Sequence, residues 1–282
     1  MKFRNPGAEF FIPDGKPEAE TLRRVTHMGI GAHQDDLEIL AVDGILKCFG
    51  SPTQGFLGVV VTSGSGSPRE GPYADTTDAE MQAVRRNEQK KAAVVGEYAG
   101  VVLLNHPSSA LKDKANAGPV EDLKTLLAAT KPRVVYTHNP ADKHDTHVAV
   151  MLRVLQAIRA LAPGERPEAL FGCEVWRDLD WLSDADKMVF DVSARENLTT
   201  ALVGIFDSQV AGGKRYDLAT IGRRRAHATY FASHGVDTAT QLVFGMDLTP
   251  LVKNETLDVT AFLNGYIERF AKEVRERIGK LA

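Results

Sequence analysis

The strongest constraint on the fold of this chain is an alternation, running from residue 26 to residue 161, of short β-branched runs and longer stretches of helical spacing. Thr26–Ala32, Phe56–Thr62, Gly100–Leu104 and Arg133–Thr137 read as strands. Asp36–Lys47, Asp78–Val95, Val120–Ala129 and Thr146–Leu161 read as helices between and after them. In the last helix Val148, Leu152, Leu155 and Ile158 fall on one stripe, with Arg153, Gln156 and Arg159 facing away. Parallel neighbours need a crossover, so the alternation predicts a three-layer, Rossmann-like α/β fold: a mostly parallel sheet with helices on both faces. Ligands of such sheets bind beyond the carboxyl ends of the strands.

The second half is less regular. Leu170–Val175 and Met188–Val192 read as strands, the latter at a sheet edge, and Ala194–Phe206, Tyr216–Ser233 and Ala261–Leu281 as helices. The best linker, Pro163–Pro167, is only a few residues long. The expectation is a single domain over 1–282, with a core at about 24–162 and a C-terminal elaboration at about 163–282. Thirty-four basic and 37 acidic side chains leave a net charge of −3, which gives no general pull toward nucleic acid or anionic lipid. No apolar run is long enough to span a bilayer, and the first residues lack the apolar core of a secretory signal. Cys48 and Cys173 stand far apart without a CxxC motif. These features fit a cytoplasmic protein, and a homo-oligomer is compatible with them.

Chemistry concentrates at two strand ends. GIGAHQDDLE places His33, Asp35 and Asp36 after the first strand, and THNPADKHDTH places His138, Asp142, His144, Asp145 and His147 after the fourth. A parallel sheet brings such ends to one edge, where imidazoles and a carboxylate make a mixed N/O zinc site with a position open to water. His33 and Asp36 have ligand-like spacing across a turn, and His144 and His147 are three apart at a helix start. Blander readings exist: Asp35 with Glu38 matches a capping box, and Asp145 or Thr146 an N-cap.

AHQDD followed by HxxH resembles the LmbE-like, or PIG-L, family of zinc-dependent N-deacetylases, whose first motif is usually AHPDDE. Gln34 replaces the proline and Leu37 the final acid, and in His144-Asp145-Thr146-His147 the acid sits one position early. The segment TSGSGSP and Arg85-x-x-Glu88 also look like family features, and the resemblance covers roughly residues 26–160. It implies His33, Asp36 and His147 as ligands of one Zn2+ per chain, although such a donor set also accepts Fe2+ or other divalent ions. It further implies Asp35 as general base, His144 as the oxyanion-stabilising histidine, and Arg85 as a substrate contact. Asp142 or Asp145 would hold the His144 ring from behind. The expected substrate is a small N-acetylated sugar conjugate, with a non-sugar acylamine or non-catalytic ligand binding as the alternatives.

Other features carry less. Arg85 also suits a solvated pair with Glu88, and the loop Ser63–Thr77 offers Arg69, Tyr73 and Asp75 as ligand contacts. His227, Tyr230, Phe231 and His234 read as one buried helix face, Arg223-Arg224-Arg225 as a solvated one, and Trp176 and Trp181 flank a polar loop.

Overall fold

The computed structural model describes residues 1–282 and is built on one eight-stranded sheet. The strands are β1 (Glu9–Phe11), β2 (Val25–Gly31), β3 (Gly55–Thr62), β4 (Gly100–His106), β5 (Val134–His138), β6 (Ala169–Cys173), β7 (Met188–Asp191) and β8 (Leu242–Asp247), in the order β1-β4-β3-β2-β5-β6-β8-β7. The five central strands run parallel, whereas β1 joins β4, and β8 joins β6 and β7, antiparallel. The sheet is therefore mixed, parallel through its centre and antiparallel toward both edges. The expectation missed β8 altogether, because a short apolar segment declares its partner only through pairing. The edge position expected for Met188–Val192 is found.

Alternate residues of the central strands feed two buried layers. Val59 and Val61 of β3 pack with Leu123, Leu127, Val154 and Ile158, which lie on the helices Gly118–Thr130 and Asp145–Arg159. Phe56 and Val60 of the same strand pack with Leu37, Ile45, Ala92 and Leu202 on the opposite side. Helices thus cover both faces. Within Asp145–Arg159 the expected stripe is displaced. Leu152 is exposed, whereas Arg153 is buried and donates to the Leu111 and Asp113 carbonyls at 3.1 and 2.6 Å. An arginine enters such a face only because backbone acceptors meet its guanidinium.

The helix expected over Asp36–Lys47 forms as two pieces, Asp36–Leu40 and Val42–Cys48, broken at Ala41. Both lie very close to the sheet. A Cβ placed on Gly29 of β2 would meet Phe56 Cζ at 2.7 Å and Ala41 Cβ at 2.8 Å, and one on Gly31 would meet Asp36 Cβ at 2.8 Å. Only glycine lets the chain after β2 turn back so tightly over its own strand. Gly29→Ala should therefore force overpacking, with a loss of about 1–3 kcal/mol measured by denaturant unfolding.

Candidate metal centre

β2 and β5 are neighbours, in register from His27↔Val134 to Gly29↔Tyr136. After β2 the chain goes to β3 and β4 on one side, and after β5 to β6 on the other. Their carboxyl ends therefore flank the point where strand order reverses, the crevice in which open α/β sheets bind ligands. Both His/Asp clusters fall there. His33 Nδ1 lies 3.2 Å from His147 Nε2, and Asp36 Oδ2 lies 3.4 Å from the first and 3.5 Å from the second. Donors about 2.0–2.1 Å from a tetrahedral zinc ion stand roughly 3.3 Å apart, so these three atoms fit one ion as they are placed.

A second triplet, Asp36, His138 and His147, is also compact. It fits a metal less well. Ala32 N–H donates to His138 Nε2 at 2.9 Å, so the lone pair facing Asp36 is already used. His138 instead stacks on the His147 ring, with centroids 3.9 Å apart. Behind His147, Nδ1 meets Asp142 Oδ2 at 3.3 Å, which leaves Nε2 as the free lone pair of a neutral ring. Burial, followed by the charge of His138, pushes His147 down to about 4. Burial also raises the cost of charge on Asp36, but the surrounding histidines, His147 and His138 foremost, outweigh it and hold this carboxyl well below the usual range; it also accepts the His33 backbone N–H at 2.7 Å. A carboxylate and a neutral imidazole are the protonation states a metal requires.

Neither helix start is capped by the acids expected there. Asp35 stands before Asp36–Leu40 and His144 before Asp145–Arg159, and neither side chain makes a cap hydrogen bond. Asp35 instead adopts φ 87°, an unfavourable backbone conformation for a residue with a Cβ, of the kind that collects at functional sites. Its N–H reaches Gln89 Oε1 at 3.4 Å and its carboxylate accepts from Arg85 Nη2 at 3.2 Å. Burial raises the Asp35 carboxyl well above its usual range, with Arg85 opposing. Arg85 also donates to the Gln34 carbonyl at 2.5 Å and to Ser67 Oγ. It lines the cavity but is largely occupied in clamping Asp35 to the Gly64–Ser67 loop. Its expected partner Glu88 instead accepts from Ser208 N and Oγ, at 2.7 and 2.6 Å. Gln34, in place of the proline, folds over that loop: a Cβ on Gly64, where φ is +74°, would meet Gln34 Oε1 at 2.1 Å.

The site opens into a cleft of about 380 Å³. His33, Asp35, Asp36, Arg85 and His144 line it, together with Trp176, Lys214 and Tyr216, which the sequence reading did not place there. Trp176 stacks toward His144 with centroids 6.3 Å apart, and its backbone N–H donates to Asp142 Oδ2 at 3.1 Å. Asp142 also accepts from the His144 N–H at 3.0 Å, so it supports the His147 ring and the His144 backbone rather than the His144 ring. Asp145 is exposed and does not hold that ring either. Burial, then the neighbouring His33, lowers His144.

Elsewhere the structure corrects three expectations. Arg224 is not solvated but 2% exposed, donating to the Glu38 carbonyl at 2.7 Å. The helix from Tyr216 ends at Tyr230, leaving Tyr230 and His234 exposed, while His227 is buried against Glu174 at 2.9 Å. Arg69 and Tyr73 bond Ser65 and Asp207, so the loop lines the cleft through Gly64–Pro68 instead.

Glu38 lies behind Asp35, accepting from Gln89 Nε2 at 2.8 Å and Tyr98 Oη at 2.7 Å, and burial raises it to about 7. Between the ordinary 4.5 and about 7 the folded chain holds a proton that the unfolded chain has released, so rising pH favours unfolding. The stability of Glu38→Gln relative to the parent should therefore rise by about 2–3 kcal/mol from pH 5 to pH 8, measured by denaturant unfolding. Asp142→Asn, which weakens support of His147 Nδ1, should reduce metal affinity about 10–100-fold in a chelator competition titration.

Residues 28–158 match the family described as PIG-L: GlcNAc-PI de-N-acetylase. The sequence matches none of the curated proteins with which it was compared. Among solved structures it is similar in fold to GalB, the 4-carboxy-2-hydroxymuconate hydratase from Pseudomonas putida KT2440, at 16% identity and TM-score 0.62, over 79% of this chain and 96% of that one. It is also similar to the N,N'-diacetylchitobiose deacetylase from Pyrococcus horikoshii, at 14% identity and TM-score 0.57, over 82% and 88% of the two chains. The A40926 pseudoaglycone deacetylase Dbv21 shares 17% identity at TM-score 0.57, over 79% and 97%. Residues 28–158, which contain both donor clusters, belong to the PIG-L family.

Proposed function

We propose that this chain is a metal-dependent hydrolase that removes an N-acyl group, foremost acetyl, from an amino-sugar-type substrate. The observation that carries this reading is the meeting of His33, Asp36 and His147 within 3.5 Å of one another, with the carboxylate of Asp35 on the same cleft. The PIG-L match and the deacetylases of the same fold support it. Fold alone does not, because a hydratase shares it.

A Zn2+ ion held by His33, Asp36 and His147 would supply Lewis acidity to the amide carbonyl and to the attacking water. Asp35 takes the proton from that water and returns it to the departing nitrogen, so that amide and water become carboxylate and amine. Burial suits Asp35 to holding the proton between these steps, and Arg85 keeps its carboxylate aimed into the cleft. His144 turns an imidazole toward the carbonyl oxygen. Because burial lowers its proton affinity, it serves as a neutral N–H donor.

Asp35→Asn should lower kcat by about 10²–10⁴-fold on an N-acetyl sugar while metal content stays at one ion per chain. Amine release and elemental analysis on the same sample check both. Full turnover by the variant, or by chelated parent, would sink the proposal. Release of water or its addition to a double bond, with no amine formed, would favour hydratase chemistry instead.

A further inference from the structure

We propose that Tyr216 is a further catalytic residue: its phenol oxygen accepts the N–H of the scissile amide and turns the nitrogen toward Asp35, so that the cleft selects secondary amides. This rests on the hydrolase reading and deepens it.

Tyr216 lies outside residues 28–158, the part that matches the family, and enters the cleft from the C-terminal half of the chain. It opens the helix that ends at Tyr230. Thr220 and Arg224 follow at i+4 and i+8 on the same face, and both are buried. Arg224 donates to the Glu38 carbonyl at 2.7 Å, so this face lies over the short helix Asp36–Leu40. Arg223 donates to the Val175 carbonyl at 2.6 Å and ties the same helix to the segment carrying Trp176. Tyr216 meets the Trp176 ring nearly at right angles, with centroids 6.2 Å apart. The ring is thus firmly seated, yet its hydroxyl has no hydrogen-bond partner within the chain. A seated phenol whose donor and acceptor are both unused is free to meet a ligand.

The cleft has two chemically distinct sides. The His144 ring stands against His33 and His147, with centroids 5.1 and 4.5 Å apart, where it faces the carbonyl oxygen. Asp35 stands with Arg85, at 3.2 Å. The charges acting on the Tyr216 phenol are Asp35, Asp36 and Arg85, whereas His33, Asp36, Asp142 and His138 act on His144. Tyr216 therefore belongs to the Asp35 side, where the departing nitrogen must lie to receive its proton. Burial and then the two carboxylates push the phenol above its ordinary value. It stays a neutral hydroxyl and does not compete with Asp35 for the proton.

The nitrogen of an amide is planar, its lone pair shared with the carbonyl until water adds. Addition releases that pair, which must face Asp35 for the C–N bond to break. Tyr216 holds the one hydrogen that the nitrogen keeps throughout. Asp35 returns a second, and the product leaves as the amine. No proton passes through Tyr216. An ester oxygen carries no hydrogen and gains nothing from this contact.

The test compares the metal-loaded full chain with its Tyr216→Phe variant. That change removes no bond within the chain, so metal content and unfolding should stay as in the parent. Amine release from N-acetylglucosamine should fall about 10- to 100-fold in kcat/KM, with most of the loss in kcat. Turnover of p-nitrophenyl acetate, which has no N–H, should change less than about twofold. Binding is read by calorimetry in an Asp35→Asn background, so that the sugars persist. There N-acetylglucosamine should bind tighter than N-acetyl-N-methylglucosamine, and adding Tyr216→Phe should narrow the gap about two- to tenfold. Equal losses on amide and ester would assign Tyr216 to the oxyanion or to the fold and overturn the proposal. An unchanged amide kcat, or a binding gap that stays open, overturns it as well. No amine from N-acetylglucosamine with the parent overturns the hydrolase reading instead. Where the parent leaves either probe uncleaved, the binding gap decides the N–H contact by itself.

Discussion

Everything at the centre of this molecule depends on β2 and β5 lying side by side with their carboxyl ends on one edge. Each contributes a short polar segment in which the chain leaves the sheet, and adjacency brings a carboxylate and two imidazole nitrogens within 3.5 Å. Left to themselves, electron-rich atoms so arranged repel. The arrangement is held by bonds on the far side of each donor: Asp142 to His147, and the His33 N–H to Asp36. Support of that kind orients ligands before an ion arrives and limits the reorganisation that binding demands.

The environment of Asp35 follows from the same crowding. Its backbone sits at φ 87° because the chain must turn sharply from β2 into a helix that lies directly over Gly29 and Gly31. That turn directs the carboxylate into the cleft, where Arg85 meets it. Arg85 in turn ties the Gly64–Ser67 loop to the Gln34 carbonyl. A strained residue, a buried guanidinium and a glycine-rich loop therefore form one unit, and one departure from the usual family motif is absorbed within it: Gln34 occupies the space that Gly64 leaves.

Much of the site was legible in the sequence because it is local. His33 and Asp36, like His144 and His147, are three residues apart, and the strand-then-helix pattern indicates that such pairs stand at a sheet edge. The expected helix over Asp78–Val95 forms over those residues, since its capping box is written within four positions. Misreadings arose where a distant segment decides the outcome. Arg153 and Arg224 looked solvated because periodicity cannot reveal that backbone carbonyls from elsewhere will accept their charge. Asp142 and Asp145 both looked like partners for the His144 ring, but Asp142 turns to the His147 ring and the His144 backbone, and Asp145 faces out.

What the amino-acid order determined by itself was the alternation of elements, the two donor clusters and their place at strand ends, since these need only spacing along the chain. The tertiary structure alone decided that β8 would enter the sheet between β6 and β7, that Trp176 would face His144, and that Lys214 and Tyr216 would line the cleft. Those residues come from segments without a strong period of their own. Their positions follow from long-range pairing and burial, which depend on the whole assembled sheet rather than on any window of sequence.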